Sequence, residues 1–318
     1  MKHFLSVDDV GDFNGLVNRA LDYKASPWKD QHLGKHKTLG MIFLNPSLRT
    51  RISTQVAARN LGMEVIVFNI DKDGWQLEFE DGAIMNGNTT EHIKEAARVM
   101  GQYFSILGIR TFPGLIDKEE DYSEHHLRQF VNYSGVPVLS LESATVHPLQ
   151  SLTDVITIKE HFKEKRKPKV VLTWAPHVKA LPQAVPNSFA QWMNAWSEID
   201  FVITHPEGYE LASKFSRGSK VEHNQEKALE GADFVYVKNW SSYHQYGKIL
   251  STDSAWMITK EKLKNTNKAS VMHCLPVRRN VVVADEVLDG PDSIVIQQAG
   301  NRIWAAQAVL RELLKDGE

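Results

Sequence analysis

The sequence predicts an α/β protein of two lobes, each a parallel sheet flanked by helices. A chain of 318 residues is long enough for two domains of ordinary size, each with its own core. Strand-like and helix-like runs also alternate along the chain, which is typical of right-handed βαβ units in parallel sheets. The predicted strands are the apolar runs 38–44, 64–70, 105–112, 137–142, 169–175, 200–205, 234–238, 269–273 and 293–297.

Helical periodicity fills the segments between these strands, with apolar residues recurring every three or four positions. One helix is predicted to begin at Ser47, because the run 38–44 ends at Asn45-Pro46 and a periodic stretch follows. The stretch Leu149–Lys165 is expected to link the two lobes. The other helices predicted in this way are Glu91–Tyr103, Leu149–Phe162, Pro186–Trp196 and Asn301–Leu314.

Composition narrows the classes of function. The formal net charge is −2, so nothing selects for nucleic acid or for an anionic membrane surface. The single cysteine excludes an internal disulfide and fits a reducing cytoplasm. Asp8-Asp9 leaves no room for the apolar core of a signal peptide, and no apolar run approaches the roughly 18 residues of a membrane helix. We expect a soluble cytoplasmic protein without nucleic-acid or membrane partners.

Motifs for cofactors and metals are missing from the sequence. No G-x-G-x-x-G follows a predicted strand, and the phosphate-loop pattern G-x-x-x-x-G-K-[ST] does not occur. The chain has neither H-E-x-x-H nor a paired C-x-x-C, and its 13 histidines are scattered. We therefore expect no cofactor and no metal.

An anion site is predicted where the helix at Ser47 begins. The segment Ser47-Leu-Arg-Thr-Arg51 combines hydroxyl groups, backbone N–H groups and two guanidiniums at one helix N-terminus. Unpaired N–H donors and the positive end of the helix dipole attract phosphate, and arginine adds bidentate charge-assisted hydrogen bonds. A serine-capped helix with solvated arginines would leave the same pattern, so this motif alone does not decide between the two readings.

Three further segments stand where predicted strands stop, at the edge of an α/β sheet where ligands bind. They are His147-Pro-Leu-Gln150, His273-Cys-Leu-Pro276 and Arg110. Together with Ser47–Arg51 they resemble the aspartate/ornithine carbamoyltransferase family, in the right order and over essentially the whole chain. The family's marks are S-x-R-T-R and H-P-x-Q for carbamoyl phosphate, and H-C-L-P in the ornithine-type branch.

The resemblance implies three catalytic residues: Cys274, His147 and Arg110. Cys274 is expected beside the nucleophilic amine, as a proton acceptor or orienting group rather than a covalent nucleophile. Its polar, cationic neighbours would lower the pKa of a thiol. The alternative is that this cysteine is a small buried hydrophobe, the commonest fate of a free cysteine.

Carbamoyl phosphate needs donors at its carbonyl oxygen, because that oxygen becomes an oxyanion as an amine attacks. By resemblance Thr50 donates there with the catalytic arginine and histidine, while Gln150 and the Leu275 carbonyl hold the carbamoyl NH₂. The residues expected to bind carbamoyl phosphate are Ser47, Leu48, Arg49, Thr50, Trp75, Arg110, His147, Gln150, Cys274, Leu275 and Arg302.

The amine-binding side departs from the ornithine carbamoyltransferase pattern. Ordinary members carry D-x-x-x-S-M-G, whose aspartate and loop hold a free α-amine, whereas the matching stretch Phe234–Trp240 has Lys238. A cation cannot pair with an ammonium but can pair with a carboxylate. The substrate's α-amine is therefore expected to be acylated, unless Lys238 is simply a solvated lysine at a strand end. The residues expected to bind the acylornithine are Glu142, His177, Lys238, Arg278 and Thr90.

The acyl group is expected to be succinyl rather than acetyl. In the N-acylornithine branch, acetyl-accepting enzymes carry Glu and succinyl-accepting enzymes carry Pro at the position of Thr90, so this chain matches neither. A neutral Thr would not repel a succinyl carboxylate, as a Glu would. The predicted site also holds more positive charge than one α-carboxylate requires, on Arg278, Arg279, His177 and Lys238.

The expected reaction transfers the carbamoyl group of carbamoyl phosphate to the δ-amine of N-succinyl-L-ornithine, giving N-succinyl-L-citrulline and phosphate in arginine biosynthesis. N-acetyl-L-ornithine is the first alternative acceptor, and free ornithine the second. A non-catalytic anion-binding module is a rival of another class. Against it stand His147, Gln150 and Cys274, which simple phosphate binding does not need.

The resemblance also implies domains and assembly. It places a carbamoyl phosphate-binding domain at 1–148, joined by a C-terminal helix at 300–318, an N-acylornithine-binding domain at 149–299, and the active site in the cleft. The branch forms homotrimers in which a tryptophan matching Trp75 enters a neighbouring subunit's active site; core packing is the alternative for this residue. In the same branch the chain passes through a proline-rich loop similar to 176–186 and forms a knot. The resemblance therefore predicts a knot in this chain as well.

Overall fold

The structure is a computed structural model that describes residues 1–315, with Asp71 described by its backbone alone. The chain divides into two compact units. The N-unit contains Met1–Gly114, Glu119–Leu149 and the chain from Arg302 onward, and the C-unit contains Leu115–Lys118 and Gln150–Asn301. Residues 316–318 of the predicted segment 300–318 lie outside the described residues.

The strands of the N-unit are β1 Thr38–Phe43, β2 Glu64–Asn69, β3 Leu77–Glu78, β4 Glu91–His92, β5 Ile106–Arg110 and β6 Val138–Glu142. Four of them form a parallel sheet in the order β2-β1-β5-β6, and β3 pairs with β4 separately. Almost every residue of β1, β5 and β6 is buried, as expected where both faces of a parallel sheet are covered.

The helices of this part of the chain are α1 Phe13–Ala25, α2 Arg49–Asn60, α3 Ile70–Asp73, α4 Ile93–Tyr103, α5 Lys118–Ser123 and α6 His125–Tyr133. Ile42 of β1, Ile109 of β5 and Phe130 of α6 belong to one buried cluster, so burial of these side chains holds α6 against the sheet. Helix α2 begins two residues later than the predicted start at Ser47, with Leu48 as its N-cap residue.

The C-unit is built on a five-stranded parallel sheet in the order β11-β10-β7-β8-β9. Its strands are β7 Lys169–Trp174, β8 Asp200–Thr204, β9 Lys220–Val221, β10 Phe234–Lys238 and β11 Ser270–Met272. The remaining helices are α7 Pro148–His161, α8 Ala184–Ala195, α9 Ser213–Ser216, α10 Gln225–Leu229, α11 Lys260–Leu263, α12 Asp285–Leu288 and α13 Val295–Lys315. The predicted fold class, parallel sheets flanked by helices, is confirmed.

One predicted strand is wrong. The run 293–297 forms a single bridge from Ser293 to Val271, and α13 then begins at Val295. Two features of the run favoured a strand: its β-branched residues and its short apolar length. The helix was not recognised there because its buried face continues through the polar residues Gln298 and Asn301, which break the apolar periodicity.

The proline-rich loop is shorter than predicted, because α8 begins at Ala184 and includes Pro186 in its first turn. The loop is held by segment 239–241 of the same unit. Ser241 donates to the Leu181 carbonyl from both its N–H and its hydroxyl, each at 2.9 Å. The side-chain amide of Asn239 donates to the carbonyl of Ala175, the residue just before the loop, at 2.6 Å.

Candidate active site

The N-terminus of α2 is the position at which the sequence predicts an anion site. Ser47 and Arg49 are half-buried, and Leu48 between them is exposed. No side chain caps this helix, and the first N–H groups of any helix lack an intrahelical carbonyl partner. Within residues 1–315, Arg49 makes no hydrogen bond or ion pair. Available N–H groups beside an available guanidinium are what a phosphate group requires.

Arg110 ends β5 and is held by its neighbours in the N-unit. A register irregularity at this point pairs Arg110 with Glu142 of β6, so a bulge brings the carboxylate opposite the guanidinium. Arg110 donates to Glu142 Oε2 from Nε at 3.1 Å and from Nη2 at 2.6 Å. Its Nη1 donates to the carbonyl oxygens of Asn45 at 2.9 Å and Pro46 at 2.8 Å. The salt bridge therefore connects β5 to β6, and the other hydrogen bonds of Arg110 connect both strands to the loop before α2.

Arg302 of α13 lies among the same buried groups. Its Nη2 donates to Thr50 Oγ1 at 2.5 Å and lies 3.5 Å from His147 Nε2. Because a guanidinium has no acceptor, the Thr50 oxygen accepts this hydrogen bond, and the hydroxyl proton is directed to another partner. His147 Nε2 is also 3.9 Å from Glu142 Oε2. We call Thr50, Arg110, Glu142, His147 and Arg302 the arginine cluster.

A network of buried amides connects further predicted residues in the C-unit. Gln150 and Gln298 each donate from Nε2 to Asp154 Oδ1 at 2.7 Å. Gln298 Oε1 accepts the backbone N–H of His273 at 2.9 Å. Since a carboxylate only accepts, Asp154 determines that the Gln150 side chain presents its NH₂ end there. The acceptor oxygen is then the end of the Gln150 amide that can receive an N–H from a ligand.

Cys274 is half-buried and is the second residue after the end of β11. The backbone N–H of Leu275 donates to His273 Nδ1 at 2.8 Å, and Leu275 has a left-handed φ of 55°, an uncommon conformation for a non-glycine residue. The Tyr236 phenol of β10 is completely buried, and burial raises its pKa well above the ordinary value, with further contributions from Asp154 and Cys274 beside it. This tyrosine remains a neutral donor at physiological pH.

Lys238 ends β10 and is buried, at 9% exposure. Arg278 Nε donates to His177 Nε2 at 3.2 Å, so His177 accepts and is neutral there. Burial lowers the pKa of His177, and the charges of Lys238 and Arg278 lower it further. Among residues 1–315 no carboxylate forms an ion pair with Lys238 or Arg278. We call Lys238, His177 and Arg278 the basic cluster.

The prediction that four groups contribute positive charge is wrong for two of them, His177, which is neutral, and Arg279. Its guanidinium donates to Asp289 at 2.7 and 2.8 Å and to Asp285 at 2.9 Å. Two carboxylates therefore compensate this one cation. Ion pairs that depend on where α12 ends cannot be recognised in the sequence alone.

Trp75 and Thr90 lie on a different part of the N-unit, the segment 74–92. Trp75 is 54% exposed, which excludes packing in the core of this chain, and its indole N–H donates to Glu91 Oε2 at 2.9 Å. Thr90 is exposed, and its backbone N–H donates to the Gln76 carbonyl at 2.9 Å. These bonds connect the two ends of the segment, so both side chains are presented at the surface of this chain.

Three buried residues of the site were missed by the sequence analysis: Asp154, Gln298 and Tyr236. A signal existed for Asp154, because it follows Gln150 by four positions on a helix, where side chains are neighbours. No signal existed for Gln298, which lies on the run that was predicted as a strand. In the described residues we find no helix long and apolar enough to cross a membrane and no cluster of His, Cys, Asp and Glu suited to a metal.

Comparison with known proteins decides the family. A model described as the carbamoyl-P binding domain of aspartate/ornithine carbamoyltransferase matches residues 2–160, and one described as its Asp/Orn binding domain matches residues 184–313. The chain belongs to the aspartate/ornithine carbamoyltransferase family. The resemblance drawn from the four motifs is therefore confirmed, and so is the prediction of a carbamoyltransferase enzyme.

Individual relatives within the family are also similar over the full chain. An N-succinylornithine carbamoyltransferase of Bacteroides thetaiotaomicron is 53% identical over 99% of both chains. An N-acetylornithine carbamoyltransferase of Xanthomonas axonopodis pv. citri is 35% identical, over 98% of this chain and 96% of its own length. These two similarities confirm the N-acylornithine branch of the family.

Solved structures agree with this placement. A variant of N-acetyl-L-ornithine transcarbamylase complexed with carbamyl phosphate and N-succinyl-L-norvaline has a TM-score of 0.92 and 34% identity. The match covers 98% of this chain and 100% of that one. An acetylornithine transcarbamylase complexed with acetylcitrulline has the same TM-score and identity, over 98% of this chain and 99% of its own.

Proposed function

We propose that this chain is an N-succinylornithine carbamoyltransferase of arginine biosynthesis. It transfers the carbamoyl group of carbamoyl phosphate to the δ-amine of N-succinyl-L-ornithine and releases N-succinyl-L-citrulline and phosphate. The observation that carries the proposal is the basic cluster, in which Lys238 and Arg278 have no carboxylate partner in residues 1–315. The 53% identity to the N-succinylornithine carbamoyltransferase of Bacteroides thetaiotaomicron supports the same acyl group.

In this proposal the phosphate dianion binds at the start of α2. Backbone N–H groups from Ser47 to Thr50 donate to its oxygens, and the Arg49 guanidinium adds charge-assisted bonds. The Thr50 hydroxyl is prepared for donation because its oxygen already accepts from Arg302 at 2.5 Å. Phosphate is the leaving group, so these contacts stabilise the charge that grows on it during the reaction.

The carbamoyl end needs opposite chemistry on its two sides. Its carbonyl oxygen takes negative charge as the amine attacks, and His147 and Arg110 in the arginine cluster serve as donors there. Its NH₂ group needs acceptors, which the Gln150 oxygen and the Leu275 carbonyl supply. Asp154 determines which end of the Gln150 amide is the acceptor. If the carbamoyl group were rotated by 180°, its NH₂ group would face the donors His147 and Arg110, and this orientation is therefore disfavoured.

The chemical step forms a bond between the δ-nitrogen and the carbamoyl carbon and breaks the bond from that carbon to the phosphate oxygen. The attacking amine must be neutral, and its nitrogen loses one proton as the ureido group of the product forms. Cys274 lies two residues after the end of β11, and we assign it as the proton acceptor or orienting group for this nitrogen. Arg110, held by Glu142 at 2.6 Å, is thereby positioned before the substrate arrives.

The acylornithine is assigned to the C-unit basic cluster and to Glu142 and Thr90. N-succinylornithine carries two carboxylates, and the cluster offers two cations for charge-assisted bonds: Lys238, which is buried, and Arg278, which is exposed. N-acetylornithine, with one carboxylate, is the second candidate, supported by the 35% identical relative. The compensation of Arg279 by two aspartates weakens the charge argument for succinyl, but Lys238 and Arg278 still provide two positive charges.

We further propose a cytoplasmic homotrimer in which Trp75 and Thr90 of one subunit complete the site of another, and a knotted chain at the proline-rich loop. Exposure of Trp75 at 54% supports the first part, because large exposed aromatics commonly anchor interfaces. Sedimentation should find a trimer. A fully active monomer would contradict shared sites.

The function is tested by measuring citrulline-type product with three acceptors: N-succinyl-L-ornithine, N-acetyl-L-ornithine and L-ornithine, each with carbamoyl phosphate. We expect the highest kcat/KM for the succinyl compound, a lower one for the acetyl compound, and almost none for ornithine. A higher kcat/KM for N-acetyl-L-ornithine would show that the second candidate is the preferred acceptor. A preference for free ornithine would remove the role assigned to Lys238, and no transfer to any acceptor would favour an anion-binding module.

A further inference from the structure

The loop between β6 and α7 carries both Glu142 at its start and His147 at its end. Its conformation depends on a carboxylate from elsewhere in the N-unit, that of Glu124. Glu124 Oε1 accepts the backbone N–H of Thr145 at 2.7 Å and the Thr145 hydroxyl at 2.5 Å. It also accepts the Ser143 hydroxyl at 2.6 Å, and Oε2 accepts the N–H of Ala144 at 3.2 Å.

The backbone conformation of Glu124 is energetically unfavourable. It is the residue before α6, with a φ of 55°, yet its side chain makes no cap bond to that helix. A left-handed conformation in a residue other than glycine costs about 1–2 kcal/mol, so a compensating gain is required. The gain lies in the loop, where one carboxylate satisfies two backbone N–H groups and two hydroxyls.

The loop supports the arginine cluster from both of its ends. Glu142 holds Arg110 through two bonds to one oxygen, and His147 lies between Glu142 and Arg302. A shift in residues 143–146 would therefore move the acceptor of Arg110 and the imidazole together. Misplacement by about 1 Å in a reacting site can cost about a hundredfold in rate.

We propose that Glu124 is a positioning residue for carbamoyl phosphate, acting through the loop 143–146 on Glu142 and His147. The inference rests on the proposed function and extends it to a residue that no motif includes. Glu124 touches no residue assigned to the substrate; its effect passes through the hydrogen bonds to Ser143, Ala144 and Thr145.

The test compares two substitutions at this position with a control. Glu124→Ala removes every acceptor, and we expect the KM for carbamoyl phosphate to rise about tenfold to a hundredfold. The KM for the acylornithine should rise less, because Glu142 is only one of the residues assigned to it and the basic cluster is unchanged. Glu124→Gln keeps an acceptor oxygen in the place of Oε1, which receives three of the four bonds. It should therefore restore most of the affinity for carbamoyl phosphate.

The control is Asp9→Ala, because Asp9 Oδ2 likewise accepts two backbone N–H groups, of Leu5 at 2.6 Å and Ser6 at 3.1 Å. Its segment carries no residue assigned to substrate, so it should lower thermal stability without changing the KM for carbamoyl phosphate. Hydrogen exchange should be faster in residues 143–146 of Glu124→Ala and nearly unchanged in Glu124→Gln.

The outcomes separate this inference from the proposed function. If the unmodified protein transfers no carbamoyl group, the proposed function fails and the inference falls with it. If the unmodified protein is active, an unchanged KM for carbamoyl phosphate in Glu124→Ala overturns the inference alone. Equal increases in that KM for Glu124→Ala and Asp9→Ala, or no rescue by Glu124→Gln, would also overturn it, since general destabilisation would then explain the result.

Discussion

The two charged clusters of this molecule are built in opposite ways. In the N-unit, Arg110 is buried against Glu142, with the closest contact at 2.6 Å and both side chains about one-tenth exposed. In the C-unit, Lys238 and Arg278 have no carboxylate partner within residues 1–315. A compensated cation is held in one orientation by the protein. A buried cation without a counter-charge, here Lys238 at 9% exposure, raises the free energy of the folded state until an anion binds, whereas the exposed Arg278 does so much less.

The difference corresponds to what each cluster is proposed to recognise. The carbonyl of carbamoyl phosphate is neutral in the ground state, so it needs donors in fixed positions more than it needs net charge. An acylornithine arrives with its own carboxylates, which can neutralise a cluster that the protein leaves charged.

Removing the N-unit cation should damage the fold itself. Arg110→Met leaves Glu142 buried and without its partner, and breaking one half of a buried pair costs about 3–5 kcal/mol. Urea unfolding would measure the loss. The matched control is the double variant Arg110→Met with Glu142→Leu, which should recover much of the stability but no activity. A stable single variant would contradict the view that this pair holds the cluster together.

Removing Arg49, the cation proposed to bind the phosphate group, should weaken the binding of carbamoyl phosphate without affecting the fold. Arg49 has no partner among residues 1–315, so Arg49→Ala should leave the free energy of unfolding nearly unchanged. It should weaken carbamoyl phosphate by about 2–4 kcal/mol, the loss of a charge-assisted contact in a closed site. Steady-state kinetics at saturating acylornithine would measure it. An unchanged KM and kcat would exclude the start of α2 as the phosphate site.

Removing a C-unit cation should weaken binding and strengthen the fold. Lys238→Met keeps the length of the side chain and deletes a buried charge, so we expect the protein to gain about 1 kcal/mol of stability. Both acylated substrates keep an α-carboxylate, so both should lose about 1.5–3 kcal/mol of binding, typical of a hydrogen bond to a charged group. Thermal unfolding and kinetics would be measured on the same preparation. A destabilised variant would show that Lys238 has a structural partner.

The smallest effect concerns the acyl tail. Thr90→Glu should place a carboxylate near the succinyl carboxylate, and like charges about 4 Å apart at an effective dielectric of about 20 repel by about 4 kcal/mol. Thr90 is exposed in this chain, so screening reduces this repulsion, and we expect about tenfold lower kcat/KM for the succinyl substrate. Thr90→Gln is the neutral control. Activity with N-acetylornithine should be kept or improved, and equal losses with both acylated substrates would contradict the assignment.

Much of the fold could be predicted because parallel strands that are buried on both faces appear in the sequence as short apolar runs. Eight of the nine predicted runs became strands of the two sheets. The ninth failed because α13 buries Gln298 and Asn301, whose polarity hides a helical face from any count of apolar spacing. The strands β3, β4 and β9 were missed because two residues each are too few for alternation to show.

The placement of candidate site residues was predictable at strand ends, since Arg110 ends β5 and Lys238 ends β10. It was not predictable where function depends on pairing across the fold. The bulge that brings Glu142 to Arg110, the Gln298 bridge to Asp154 and the two aspartates on Arg279 all depend on tertiary contacts. Such contacts decide which charges remain available to a ligand, so net charge in a motif overstates the charge of the site.

The most direct test of the contrast between the two clusters is a binding measurement without turnover. Norvaline lacks the δ-amine, so N-succinyl-L-norvaline and N-acetyl-L-norvaline can bind but cannot accept a carbamoyl group. Titration calorimetry of the protein saturated with carbamoyl phosphate should show the succinyl compound binding about tenfold tighter or more, because its second carboxylate gains a charge-assisted contact of at least 1.4 kcal/mol. Lys238→Met should weaken both compounds. Equal affinities for the two compounds, or tighter binding of the acetyl compound, would contradict the claim that the uncompensated basic cluster selects a substrate with two carboxylates.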